Sequence, residues 1–190
     1  MHAEIGYRKI CHLVNCIQLV TMRLSSNLRT GLVGNEILAK YAHCLVVHAS
    51  DLPKGRGWSP TTWLILEGVD KIPVTLLEAV DSVDAGPIYA QRWIQLDGTE
   101  LVDEWRTLLA DASVTLCADF VSRYPDSLAF GRAQSSAPTF YPRRRADDSE
   151  LCLDKPLRES IDLLRVVDNE NYPAFYRLKG KRFYLKVFSE

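Results

Sequence analysis

The chain has 190 residues, 47% apolar and 25% charged. That is ordinary globular composition and sets one domain with room for a small appendage; disordered, collagen-like and coiled-coil classes are excluded. Its 23 Lys and Arg nearly balance its 24 Asp and Glu, for a net charge of −1, which argues against a broad electrostatic nucleic-acid binder.

Five cysteines at positions 11, 16, 44, 117 and 152 are odd in number and irregular in spacing, which points to a reduced, cytoplasmic compartment. No run of 18 apolar residues is present, so no membrane span is expected. Arg8-Lys9 precedes an apolar stretch from Ile10 to Val20. His12, Asn15 and Gln18 interrupt that stretch and no small-residue cleavage site follows, so it is not read as a signal peptide. Residues 1–27 carry no clean period.

From Gly34 to Ala42, Ile37, Leu38 and Tyr41 at 3–4 spacing predict a short helix. Cys44-Leu45-Val46-Val47-His48 reads as a buried strand of the kind found in parallel sheets. Pro53, Gly55 and Gly57 then break regular structure. Ser59-Pro60 opens a helix, with Ser59 as its cap and Pro60 in the first turn, and Gly68 ends it. Ile72–Ala79 is a second strand, Asp81–Gly86 a loop, and Pro87–Leu96 a third strand. The longest helix runs from about Glu100 to Tyr124, with Leu101, Trp105, Leu108, Ala112, Leu116 and Phe120 as its apolar stripe. Pro125 stops it, and 126–138 reads as a loop. Asp154 and Pro156 start a helix carrying Leu157, Ile161 and Leu164. Ala174–Leu178 and Lys181–Phe188 flank Lys179-Gly180 as a hairpin.

The densest functional signal lies between Val46 and Gly86. His48 ends a strand and enters a Pro/Gly loop, a place where it can face a cleft. Two glycines there let backbone approach a ligand. Asp84-Ala85-Gly86 also follows a strand, and two parallel strand ends can bring His48 and Asp84 to one crevice. A carboxylate beside an imidazole is an acid/base pair.

The segment HASDLPKGRGWSP, followed by IPVTLLEAVDSVDAG, resembles the folate-dependent formyltransferases. His48, Ser50, Leu52, Pro53, Gly57, Val74-Thr75, Asp84 and Gly86 fall in register with that family's signature. The tail from Pro138 onward resembles the sugar N-formyltransferase branch. The resemblance implies an α/β, Rossmann-like fold with a mostly parallel sheet. Only 47 residues precede His48, so its front strands are expected to be missing or irregular. It also implies a catalytic domain over 1–125, a connecting loop over 126–150 and a C-terminal helix–hairpin unit over 151–190.

The implied reaction moves a formyl group from 10-formyltetrahydrofolate, as donor co-substrate, to a primary amine, with no metal. By resemblance, His48 stabilises the oxyanion and the leaving group. Asp84 takes the amine proton and orients His48, and Ser50 steadies the loop or acts through water. Val80, Asp81 and Val83 offer backbone to the pterin, and Gly57 lies against the folate. Lys54, Arg56 and Trp58 are expected near the acceptor. Val46 stands where the family carries Asn; Cys44 shares its strand face, but a thiol is a poor donor.

The implied acceptor is a nucleotide-linked amino sugar, with a role in cell-surface polysaccharide synthesis and no membrane or nucleic-acid partner. A homodimer is compatible with this. The alternatives are a methionyl-tRNA-type acceptor and a truncated, non-catalytic relative. Arg143-Arg144-Arg145 reads first as a solvated or self-paired charge run, and second as a contact for a substrate phosphate. Trp58 and Trp63 read as core anchors. The non-enzymatic rival is metal binding by Cys11, His12 and Cys16 or by His43, Cys44 and His48, though zinc sites usually use tighter Cys spacing.

Overall fold

A computed structural model describes residues 17–20 and 35–190. The cluster Cys11, His12 and Cys16 lies outside these residues. Among the described residues the main sheet has four strands: β1 (Ile17–Val20), β2 (His43–His48), β4 (Lys71–Glu78) and β5 (Ile88–Gln95), in the order β1-β2-β4-β5. A short strand β3 (Arg56–Gly57) leaves this sheet to pair with β6 (Phe140–Tyr141). Helix α1 (Asn35–Lys40) precedes β2, helix α2 (Pro60–Leu66) links β3 to β4, and the long helix α3 (Val102–Ser122) follows β5.

The α/β architecture stands, but the sheet is mixed. β1 and β2 are parallel, whereas β2–β4 and β4–β5 are antiparallel. A parallel pairing of β4 and β5 would need a crossover of a dozen or more residues, and only the loop 79–87 joins them. A strand at Ile17–Val20 falls within residues 1–27, which carry no clean period in the sequence. Four residues are too few to show a period.

The sheet divides the molecule into two faces. Leu45 and Val47 of β2 share one face with Ile72, Val74 and Leu76 of β4, by strand alternation and the register Val47↔Leu76. These residues are buried against Val102, Trp105, Leu109, Ala112, Leu116 and Phe120 of α3. The stripe is the expected one except at two positions: Val102 takes the place of Leu101, which is the half-buried residue before the helix, and Leu109 that of Leu108, which is exposed. The other face carries Val46 and His48, with Leu77 and Thr75 opposite them.

Ser59 does not cap α2 through its side chain; it adopts φ 47° instead. The 126–138 segment includes a 3₁₀ turn at Asp126–Phe130. The tail helix is a 3₁₀ turn at Leu157–Ser160 continued by α4 (Ile161–Val166). Leu157 and Ile161 are exposed, while Leu164 is buried.

Arg165 of α4 is 2% exposed. Its guanidinium meets Asp162 at 3.0 Å, Asp70 at 3.3 Å and Glu100 at 3.4 Å, and its carbonyl accepts from Trp105 Nε1–H at 3.0 Å. This buried charge ties the tail to the core. The hairpin is β7 (Ala174–Leu178) and β8 (Lys181–Leu185), turned by Lys179 and Gly180 at φ 49° and 76°.

Candidate active site

Antiparallel pairing changes how His48 and Asp84 meet. His48 lies beside Thr75, near the middle of β4, while β4 ends at Glu78, beside Leu45. The two strand ends therefore point apart, and no crevice of parallel strand ends exists. Instead the loop after β4 doubles back. The return passes so close to β4 that a Cβ on Gly86 would collide with the Glu78 carbonyl, so only glycine fits. Glu78 N–H donates to Pro87 O at 2.9 Å and closes the turn.

The fold-back delivers the Asp84 carboxylate to two partners. Oδ1 lies 3.5 Å from His48 Nδ1, and Oδ2 accepts from Gly57 N–H at 2.9 Å. Asp84 itself is left-handed, at φ 50°. His48 Nε2 is 2.8 Å from the Gly55 carbonyl. A carbonyl only accepts, so Nε2 carries a hydrogen. In the neutral ring Nδ1 is then a lone pair facing Asp84, and protonation turns the two into an ion pair. The arrangement can accept one proton.

His48 is fully buried, with 0% exposure, rather than facing a cleft. Burial pushes its pKa below the ordinary histidine value; the Asp84 carboxylate and the Gly55 carbonyl oppose that shift, and Arg56 adds to it. Burial disfavours charge while a neighbouring carboxylate favours the imidazolium, and here burial dominates.

The loop after His48 is held from several sides. Thr75 Oγ1 donates to Ser50 O at 2.7 Å, and Gln91 Nε2 donates to Thr75 Oγ1 at 3.1 Å and to Asp51 Oδ1 at 3.0 Å. Ser50 thus steadies the loop through its carbonyl. Its buried hydroxyl bonds no protein atom, two residues from His48.

A second set of partners comes from 134–141, which reads as loop and early tail in the sequence. Gly55 N–H donates to Thr139 Oγ1 at 2.8 Å, and Arg56 N–H to Thr139 O at 2.9 Å. Trp58 N–H donates to Tyr141 O at 3.1 Å. Gly57, at φ 101°, lies against the Tyr141 backbone, where a Cβ would meet the carbonyl oxygen. Gln134 and Thr139 carry no motif that would single them out. The pairing of β6 with β3 and the bridge between Ile88 and Arg132 bring their segment to the site.

Other expected site residues are spread around this centre. Val80, Asp81 and Val83 lie exposed on the fold-back loop, and Lys54 is exposed on the His48 loop. Arg56 is held by Gln134 Oε1, at 2.6 Å from one Nη and 3.2 Å from Nε. Val46 packs with Leu52, Leu77 and Ile88, so the position of the family's Asn belongs to an apolar patch. Trp58 and Trp63 are partly exposed rather than core. The Arg143 guanidinium sits 5.0 Å over the Trp58 ring. Trp63 stacks on Tyr141 at 5.9 Å, and its Nε1–H donates to Pro142 O.

Just past β6, Pro142, Arg143, Arg144, Arg145, Ala146 and Tyr172 line a cavity of about 600 Å³. The arginine run is partly self-paired: Arg144 Nη2 donates to Asp148 O at 2.6 Å, and Arg145 N–H donates to the Asp148 carboxylate. Arg144 Nε is buried with no protein partner.

The set His43, Cys44 and His48 does not assemble as metal ligands. His43 and His48 are five apart on one strand and so face opposite sides. His43 Nδ1 is instead 3.1 Å from Glu78 Oε2. Among the described residues, no group of three His, Cys, Asp or Glu is placed to hold a metal. Among them, too, no helix is long and apolar enough to cross a membrane.

Residues 30–119 match the family model described as formyl transferase. A methionyl-tRNA formyltransferase of Lactobacillus johnsonii is 29% identical over 138 residues, which cover 72% of this chain and 44% of that protein. The chain thus spans less than half the length of this curated relative. A 4-N formyltransferase from Francisella tularensis superposes with a TM-score of 0.70 at 19% identity, covering 92% of this chain and 71% of that one. A sugar N-formyltransferase from a Shewanella species gives 0.67 at 19% identity, covering 95% and 73%. The HypX protein of Aquifex aeolicus, solved with tetrahydrofolic acid, gives 0.60 at 16% identity, covering 87% and 28%. Through residues 30–119, a little under half of its length, the chain is similar to the formyl transferase family.

Proposed function

We propose that this chain transfers the formyl group of 10-formyltetrahydrofolate to a primary amine carried on a nucleotide-linked sugar. The observation that carries the reading is the Asp84 carboxylate held between His48 Nδ1 and Gly57 N–H. The amine nitrogen attacks the formyl carbon, a C–N bond forms, and the formyl oxygen takes up negative charge. The attacking nitrogen gives its surplus proton to the His48–Asp84 pair. Collapse breaks the bond to the folate nitrogen, which receives a proton as it leaves. Aimed at the oxyanion, one donor is commonly worth about 3–4 kcal/mol. His48 Nε2–H can serve only after it releases the Gly55 carbonyl, so substrate binding must move the Gly55 loop.

In this reading Ser50 offers its unpartnered hydroxyl to the reacting groups. Gly57 and the loop bearing Val80, Asp81 and Val83 border the folate, while Lys54 and Trp58 lie toward the acceptor. Arg56 belongs to the frame of the loop. The arginine cavity supports a phosphorylated acceptor, because three guanidinium groups and a buried free Nε suit phosphate oxygens. The near-neutral charge favours a small nucleotide over tRNA. A cytoplasmic location and a role in surface polysaccharide synthesis follow from this acceptor.

The test supplies 10-formyltetrahydrofolate with a panel of amino-sugar nucleotides and, separately, with charged initiator tRNA. Formylation of a sugar nucleotide is expected; formylation of the tRNA alone overturns the acceptor. A second reading, a ligand-binding relative without turnover, is favoured by Val46 and by the burial of His48. Calorimetry that detects folate binding while no amine is formylated selects it.

A further inference from the structure

We propose that Gln134 is the positioning residue of this site: its amide locks the turn carrying Asp84 to the loop carrying Gly57 and so fixes where the carboxylate stands. The inference rests on reading His48 and Asp84 as the proton-handling pair.

The turn needs such a lock. Asp84 is left-handed, a conformation uncommon outside glycine and held only where the surroundings over-determine it. Within the turn the support is slight, a single 3.3 Å bond from Ala85 N–H to Ser82 O. Gln134 Nε2 donates at 2.8 Å to Asp84 O and at 2.9 Å to Gly86 O, which grips the turn on both sides of Ala85. Its Oε1 accepts both bonds from Arg56, the residue before Gly57. One amide thus bridges the two segments whose spacing sets the Asp84–Gly57 and Asp84–His48 distances.

Gln134 is itself well anchored. Ile88 and Arg132 exchange backbone bonds at 2.8 and 2.9 Å on one side, and Thr139 N–H donates to Pro53 O on the other. The chemistry demands an amide of this length. Glutamate keeps the acceptor for Arg56 but has no hydrogens for the two carbonyls. Leucine has neither, and lysine has no acceptor.

The experiment is a double-mutant cycle read on the His48 ring nitrogens by NMR, with pH as the variable. The charged groups set around that ring are Asp84 and Arg56. With Gln134 present, Asp84→Asn lowers the His48 midpoint by about 1–3 units, the usual influence of an adjacent charge. With Gln134→Leu, and equally with Gln134→Glu, the same change is expected to lower it by less than about half as much, because Asp84 no longer stands at a fixed distance. In both variants kcat should fall by roughly 10-fold or more, with each KM within about threefold, the pattern of a lost transition-state interaction.

An undiminished Asp84→Asn effect in the folded variants overturns the proposal. If Gln134→Leu fails to fold, Gln134→Glu, which keeps the side-chain shape, decides; failure of both to fold assigns Gln134 to folding and overturns the positioning role. Absence of formyl transfer by the unaltered protein removes the proposed function, while the His48 titration still decides the role of Gln134.

Discussion

Replacing Asp84 by Asn isolates the charge of the carboxylate from its shape. Asparagine tolerates the left-handed backbone at this position and keeps an oxygen for Gly57 N–H. The lost quantity is the attraction between carboxylate and imidazolium. At 3.5 Å and an effective dielectric of about 20, two unit charges attract by roughly 5 kcal/mol. Desolvation of both groups offsets a large part of this, which leaves a fall of about 1–3 units in the His48 pKa. The downward direction is fixed, because burial already holds His48 below its ordinary value and Asp84 opposes it. The assay is the His48 ring-nitrogen titration, with the Gly57 amide resonance as a control for an intact loop. Under the proposed mechanism kcat falls by about 10²–10⁴. A His48 midpoint that does not move, with the Gly57 amide in place, refutes the reasoning.

The depressed His48 pKa also sets the acid stability. Below the ordinary histidine value of about 6.5 the unfolded chain binds this proton more readily than the folded one, so stability rises with pH across that window and is lost on acidification. Denaturant melts between about pH 5 and 7 should show that slope, and His48→Gln should flatten it. Gly86→Ala forces a methyl group into the Glu78 carbonyl and should cost about 1–3 kcal/mol while releasing the Asp84 loop, measured by urea unfolding and by Gly57 amide exchange. Arg165→Met removes the cation shared by Asp162, Asp70 and Glu100 and leaves Glu100, 14% exposed, with only the Asp97 and Gly98 amides. A loss of about 3 kcal/mol, the lower end for a broken buried pair, lowers the melting temperature by roughly 6–12 °C. Arg144→Gln should raise KM for a phosphorylated acceptor by roughly 10-fold, as expected for one lost charged hydrogen bond, with kcat unchanged.

The sequence by itself determined most of the local elements and pointed to the stretch that carries the candidate site. Pro60, Gly68 and Pro125 punctuate the helices because they act through the backbone alone, and the hairpin follows from Lys179-Gly180 because glycine accepts the positive φ that a two-residue turn demands. The spacing of His48, Asp84 and Gly86 singled out residues that the fold does bring together, with His48 and Asp84 3.5 Å apart. The stripe on α3 was legible apart from two residues, each displaced by one, because adjacent helix positions differ by only about 100° in facing.

What only the tertiary structure decided is how these pieces meet. Strand direction is not encoded in an apolar run, so β2 and β4 read as a parallel pair although they run antiparallel. Asp84 reaches His48 by a loop folded back over Gly86. Gln134, Thr139 and Tyr141 carry no periodic or motif signal, and their place depends on a two-residue strand formed with β3. His48 is buried, with Nε2–H toward the Gly55 carbonyl and Nδ1 toward Asp84, because its own loop and the fold-back bearing Asp84 meet at a strand end that reads as open in the sequence.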